Sequence, residues 1–99
     1  MSTHPVITRE VTVNLEAGLH MRPISQIKQV AQKYDCQVNI RKDGRAVSSQ
    51  NMMEMLTLVA VQGTRLSLEA SGPQAEVALD ELVQLFETDF GAELEAEAG

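Results

Sequence analysis

Tryptophan is absent, and two phenylalanines and one tyrosine are the only aromatic residues, so the chain lacks the stacking side chains on which single-stranded nucleic acid is held. Basic residues are also scarce. Eight lysines and arginines face fourteen acidic residues, a formal charge of −6 that repels nucleic acid and anionic membrane surfaces. Arg41, Lys42 and Arg45 cluster, but around a tight turn, and are read as a solvated turn. Cys36 is the only cysteine, which excludes an internal disulfide framework and suits a reducing compartment. No run approaches the roughly 20 apolar residues of a membrane span, and the N-terminus has no basic flank before a greasy stretch. A cytoplasmic protein without membrane insertion is expected. His4, His20 and Cys36 are too far apart in the sequence to suggest a metal site, and no cofactor is expected. Gly-rich phosphate loops, serine-histidine-acid order and paired carboxylates are likewise missing.

Within 99 residues at 43% hydrophobic content there is room for one core, expected over residues 1–90. Residues 91–99 alternate alanine with glutamate and carry too little apolar surface to fold back, so a disordered acidic tail is expected. Ile7, Val11, Val13 and Leu15 alternate with polar residues, broken by Arg9, and predict a strand. From about His20 to Tyr34 the period becomes helical, with Ile24, Ile27, Val30, Ala31 and Tyr34 on one face. Cys36, Val38 and Ile40 alternate again, and Asp43-Gly44 predicts a type I′ hairpin returning as a strand from Arg45 to about Ser49. Asn51 three residues before Glu54 reads as a capping box for a short helix to about Leu58. Leu66, Leu68 and Ala70 predict a fourth strand. After it, Ser71-Gly72-Pro73 opens a helix with proline in its first turn, burying Val77, Ala78, Leu82, Leu85, Phe86 and Phe90. The order β-α-β-β-α-β-α, with half-polar strands, predicts an α+β open-faced sandwich: a four-stranded antiparallel sheet covered on one side by three helices.

The stretch Gly18 to Pro23, GLHMRP, puts a histidine at a helix start. Unpaired N–H groups and the helix dipole make that end partly positive. Such a field disfavours the imidazolium and leaves one ring nitrogen with a free lone pair, able to attack an electrophile. It also welcomes an anion, so a phosphoryl group on His20 would have its oxygens held by the helix N–H groups and by Arg22. Gly18 permits a close bend, and Pro23 fixes φ in the first turn. On these residues alone, a capping or surface histidine and a solvated arginine are the commoner readings, and both stay open.

GLHMRP, the order of elements, KDGR at the hairpin and EASG before the last helix together resemble the HPr family, the histidine-containing phosphocarrier proteins of the bacterial phosphotransferase system. The resemblance runs from about Val11 to Phe86. The usual family loop reads GLHARP or GIHARP, so Met21 is its one departure. The resemblance implies that His20 accepts phosphate from phosphorylated enzyme I and passes it to a IIA domain of a sugar permease or to a nitrogen-related IIA protein. Arg22 would assist, and Gly18, Met21 and Pro23 would shape the phosphate-binding loop. The protein would then be a carrier and substrate of phosphotransferases rather than an enzyme, and is expected to be a monomer. A regulatory binding module that docks the same way but is never phosphorylated is the alternative.

Four of the five methionines are Met21, Met52, Met53 and Met55, a soft surface suited to several partners. Met21, Met52, Met53 and Leu56 are the expected docking residues, with Met55 pointing inward. In family members controlled by a serine kinase, a serine preceded by lysine starts the second helix. Here that position is Asn51, preceded by Gln50, so no regulatory serine is expected unless a shifted alignment places Ser49 there.

Overall fold

The computed structural model describes residues 4–91; the expected acidic tail, beyond Gly91, lies outside them. The elements are β1 (Ile7–Thr12), α1 (Met21–Gln32), β2 (Gln37–Lys42), β3 (Arg45–Ser48), α2 (Met52–Leu56), β4 (Arg65–Ser71) and α3 (Ala75–Glu87), then a 3₁₀ turn at Asp89–Gly91. All pairings are antiparallel, in the order β1-β4-β2-β3. The last strand is therefore central. β4 lies with Ala70 opposite both Ile7 of β1 and Val38 of β2, so it can complete the sheet only when both neighbours are present. Alternation along these strands turns Val11, Val38, Ile40, Val47, Leu66, Leu68 and Ala70 to one face, where they share a core with the buried sides of the helices. The opposite face is polar. Arg41 there pairs with Glu69 at 3.0 Å.

The predicted order and class hold, with local corrections. Val13 and Leu15 are buried but lie past the end of β1. Tyr34 lies beyond α1, half-buried, with its hydroxyl donating to Glu81 of α3. Glu81 also meets Lys33, and these two partners hold its carboxyl below the usual range. In the hairpin Asp43 has φ of 55° but Gly44 is not left-handed, so the turn is not type I′. Glycine adopts either sign of φ, so the Asp-Gly pair marked the place of the turn without fixing its type. Pro73 is not in the first turn of α3. It follows Gly72 (φ 131°) in a turn closed by the Ala75 N–H donating to the Gly72 carbonyl at 3.2 Å, and Gln74 is the N-cap. The Gln74 side chain leaves the cap and accepts from the Asp35 N–H at 2.6 Å, tying the start of α3 to the loop before β2.

Ala75, Ala78, Leu79, Leu82 and Phe86 are buried at helical spacing, whereas Val77, expected inside, is 45% exposed. Val77 stands two residues from Leu79, on roughly the opposite side of the helix. Phe90 is buried, but from the 3₁₀ turn at φ 56°, edge-on to Phe86 with centroids 4.8 Å apart. Leu79→Ala should therefore cost about 2–5 kcal/mol in urea unfolding and Val77→Ala less than about 0.5 kcal/mol. Equal losses would mean the phase is wrong.

Candidate functional site

The chain leaves β1 through Val13, whose N–H donates to the Thr64 carbonyl and whose own carbonyl accepts from the Gly63 N–H, at 2.9 and 2.7 Å. It then turns back at Gly18. The Gly18 N–H donates to the Leu15 carbonyl at 2.9 Å, and the Leu19 N–H donates to the Ala60 carbonyl at 2.9 Å. Gly18 has φ of 74°, and a Cβ there would lie 2.7 Å from the Ala60 oxygen. Only glycine satisfies both the dihedral and the approach. Leu19 is buried and anchors the loop, so the next residue, His20, falls at the mouth of α1.

His20 is the N-cap, with φ −108° and ψ −173°, and its carbonyl accepts from the Ile24 N–H at 3.1 Å. Its ring makes no capping hydrogen bond and the residue is exposed. The ordinary capping reading is therefore set aside. No acidic residue stands in the first turn to neutralise the positive end of the helix. Met21 and Arg22 follow as its first two residues, both exposed, and Pro23 is third and buried, locking the turn against the core. The larger clefts lie elsewhere, one of about 370 Å³ beside Tyr34 and Cys36 and one of about 320 Å³ between the β2–β3 hairpin and Thr57 and Leu58. His20 lines neither. An exposed imidazole outside these clefts suits a group delivered by another macromolecule better than a small substrate that must be enclosed.

Beside this loop α2 packs against α1. Its start is as expected: Asn51 Oδ1 accepts from the Glu54 N–H at 3.1 Å, and Asn51 Nδ2 donates to Glu54 Oε1 at 2.7 Å. Met55 is fully buried. The proposed docking residues divide: Met21 and Met53 are 49% and 69% exposed, while Met52 and Leu56 are half-buried against the core. Ser49 is fully buried in the turn before α2, and its hydroxyl has no hydrogen-bond partner among the described residues.

The hairpin cations were misread as solvated. Lys42 Nζ donates to the carbonyls of Leu58 and Val59 at 2.9 and 3.1 Å, and Arg45 donates to the Thr57 carbonyl and Oγ1 at 3.3 and 2.6 Å. They hold the C-cap residue Thr57 and the turn after α2, a helix with no basic residue of its own in the last turn. That missing charge was the available signal. Cys36 is only partly covered, and burial, helped by Asp35, pushes its thiol above the usual range, away from the thiolate. Among the described residues no group of three or more His, Cys, Asp or Glu is placed to hold a metal, and no helix is long and apolar enough to cross a membrane.

Comparison with known proteins decides the family. The profile described as the PTS HPr component phosphorylation site matches residues 7–88. The chain belongs to the HPr family. Phosphocarrier protein HPr of Vibrio cholerae is 33% identical over 79 residues, covering 80% of this chain and 93% of the relative. Phosphocarrier protein NPr of Escherichia coli K12 is 29% identical over 85 residues, covering 85% and 94%. The crystal structure of HPr-C-His from Thermoanaerobacter tengcongensis superposes with a TM-score of 0.75 at 33% identity, covering 88% of this chain and 96% of that one. This HPr-family chain shares their sheet order and helix placement and the general role of a phosphocarrier in the phosphotransferase system. If the Gly18 approach sets its histidine loop, Gly18→Ala should lose about 1–3 kcal/mol of stability and shift the amide resonances of Leu19 and His20. An unchanged unfolding midpoint would show that the loop relaxes freely.

Proposed function

We propose that this chain carries a phosphoryl group on His20 between phosphorylated enzyme I and a IIA-type acceptor, either of a sugar permease or of the nitrogen-related branch. The observation that carries this is the histidine at the N-cap of α1 whose exposed ring is left out of the cap. In the first transfer a ring nitrogen of His20 uses its lone pair to attack phosphorus. A P–N bond forms as the bond to the donor's phosphorylated group breaks, and the donor keeps that electron pair. The phosphoryl oxygens are met by the first-turn N–H groups of α1 and by the Arg22 guanidinium, with Gly18, Met21 and Pro23 shaping the loop. The second transfer reverses this toward the acceptor, so the protein is a substrate of both steps and turns over nothing alone.

Docking falls to Met21 and Met53 at the surface, with Met52 and Leu56 beneath, whose flexible side chains suit two unrelated partners. We also assign one domain to residues 1–90, acting as a monomer in the cytoplasm. Asn51 has no hydroxyl to phosphorylate and Ser49 is enclosed, which argues against serine-kinase control. The relatives include both HPr and NPr proteins, so the acceptor is named only by its class.

Incubation with phosphoenolpyruvate, Mg²⁺ and the cognate enzyme I should add the mass of one phosphate, lost on brief acid treatment. His20→Ala should stay folded and never gain it, and Arg22→Ala should slow transfer about a hundredfold. No gain by the wild-type chain would leave a binding module as the better reading, and acid-labile phosphate on His20→Ala would move the carried group to another residue.

A further inference from the structure

The contacts between α1 and α3 fix how the two helices lie. Asp35, just after α1, donates its N–H to Gln74 at the start of α3, while Lys33 and Tyr34 meet Glu81 two turns further along α3. Earlier residues of one helix meet later residues of the other, so the pair is antiparallel and the end of α3 points toward the start of α1. Lys33 is the C-cap of α1, with helical φ and ψ. Arg22 stands eleven residues before it, just over three turns, and so on the same stripe of α1, the one turned to α3. Gln26 and Gln29 fill the stripe between them without charge.

Lys33 finds its carboxylate in Glu81. Three turns span about 16 Å, and the same advance along α3 leads past Glu87, its last residue, to the segment after Gly91. Nothing basic follows Arg65 in the sequence, whereas residues 92–97 bring Glu93, Glu95 and Glu97. Their point of departure is fixed. Asp89, Phe90 and Gly91 are all left-handed, at φ 51°, 56° and 73°, and the Phe90 ring is buried edge-on to Phe86. Six extended residues reach roughly 20 Å from there, more than the roughly 10 Å between the axes of packed helices. The segment has too little apolar surface to be seated by burial, which leaves charge. α1 answers it, with Arg22 and Lys28 and no carboxylate from Met21 to Gln32.

We propose that residues 92–97 lie along the α3 side of α1 and set Glu93 and Glu95 against Arg22, as an internal anion that holds back phosphorylation of His20. The contact stands on the helix geometry; its consequence rests on the carrier reading. A carboxylate–guanidinium pair at the surface is weak, so it slows the incoming phosphoryl group without excluding it. Once transferred, that group carries more charge than a carboxylate and takes the guanidinium over. Glu16 on the histidine loop, Glu54 of α2, and Glu87 and Asp89 at the end of α3 are the other carboxylates near this end of the helix pair, and they keep their charge in every variant below.

The full chain carrying Glu93→Gln, Glu95→Gln and Glu97→Gln together tests this against wild type. A second triple variant, Asp43→Asn, Glu76→Gln and Asp80→Asn, makes the same change in net charge at exposed sites away from the start of α1. In the tail variant the Arg22 Nε–H resonance and the Met21 and Arg22 amides should shift, and in the control they should stay. Phosphorylation by enzyme I and phosphoenolpyruvate should show kcat/KM about threefold higher for the tail variant than for wild type at roughly 50 mM salt. The two should converge at roughly 500 mM, where the exposed pair is screened. Arg22 resonances that do not move, a rate gain that the control shares, or no gain at all overturns the inference. If the wild-type chain takes no phosphate, the carrier reading falls and the Arg22 shift alone decides the contact; transfer without that shift leaves the carrier reading standing and removes the contact.

Discussion

The approach of Gly18 and Leu19 to Ala60 is the constraint on which the site depends. It joins two loops that are more than forty residues apart in sequence, and it tolerates no side chain at Gly18. Because Leu19 is fixed by both a backbone hydrogen bond and burial, the residue after it has little freedom in where it begins α1. Pro23 then sets the turn from the other side with its ring in the core. His20 is held through its backbone on both sides, which leaves its ring unused for structure. Rigid backbone under an exposed, unengaged side chain is the arrangement a transferred group requires, since reaction geometry is prepared before a partner arrives.

Much of this was legible because it is written in local patterns. The alternation of Leu66, Leu68 and Ala70 specified a strand and its inward face, and Asn51 with Glu54 specified a helix start, because each depends only on neighbours within a turn or a pleat. What was missed depends on partners remote in sequence. Lys42 and Arg45 read as solvated because they flank a tight turn; their acceptors lie on Thr57, Leu58 and Val59 just after α2, twelve to seventeen residues away. Val77 read as core because it is apolar, whereas the buried side is taken by Ala75, Ala78, Leu79, Leu82 and Phe86, which leaves Val77 facing outward. Of the site, His20, Arg22, Gly18 and Pro23 were visible as a motif. The contribution of Ala60 was not, since alanine carries no chemical signature and acts only through its carbonyl.

The same contrast separates the two helices of the site. α1 has twelve residues and an apolar face that packs deeply through Ile24, Ile27 and Val30, so tertiary burial sustains it. α2 has five residues and buries one of them fully, Met55. A helix so short is unstable alone, because nucleation fixes several residues before hydrogen bonding compensates. Its order must be supplied at its ends.

Asn51 and Glu54 supply it at one end and the β2–β3 hairpin at the other, where Lys42 and Arg45 hold the carbonyls of Thr57, Leu58 and Val59, the turn into which the helix runs. The hairpin belongs to the sheet and its position follows from the β2–β4 register. Its two cations hold the Thr57–Val59 segment, and the next carbonyl along the chain is the one that bonds Leu19. A continuous path therefore runs from strand register, through two side-chain caps, to the backbone beneath His20. In a chain of net charge −6 these hairpin cations thus act on backbone carbonyls, as fixings for a loop.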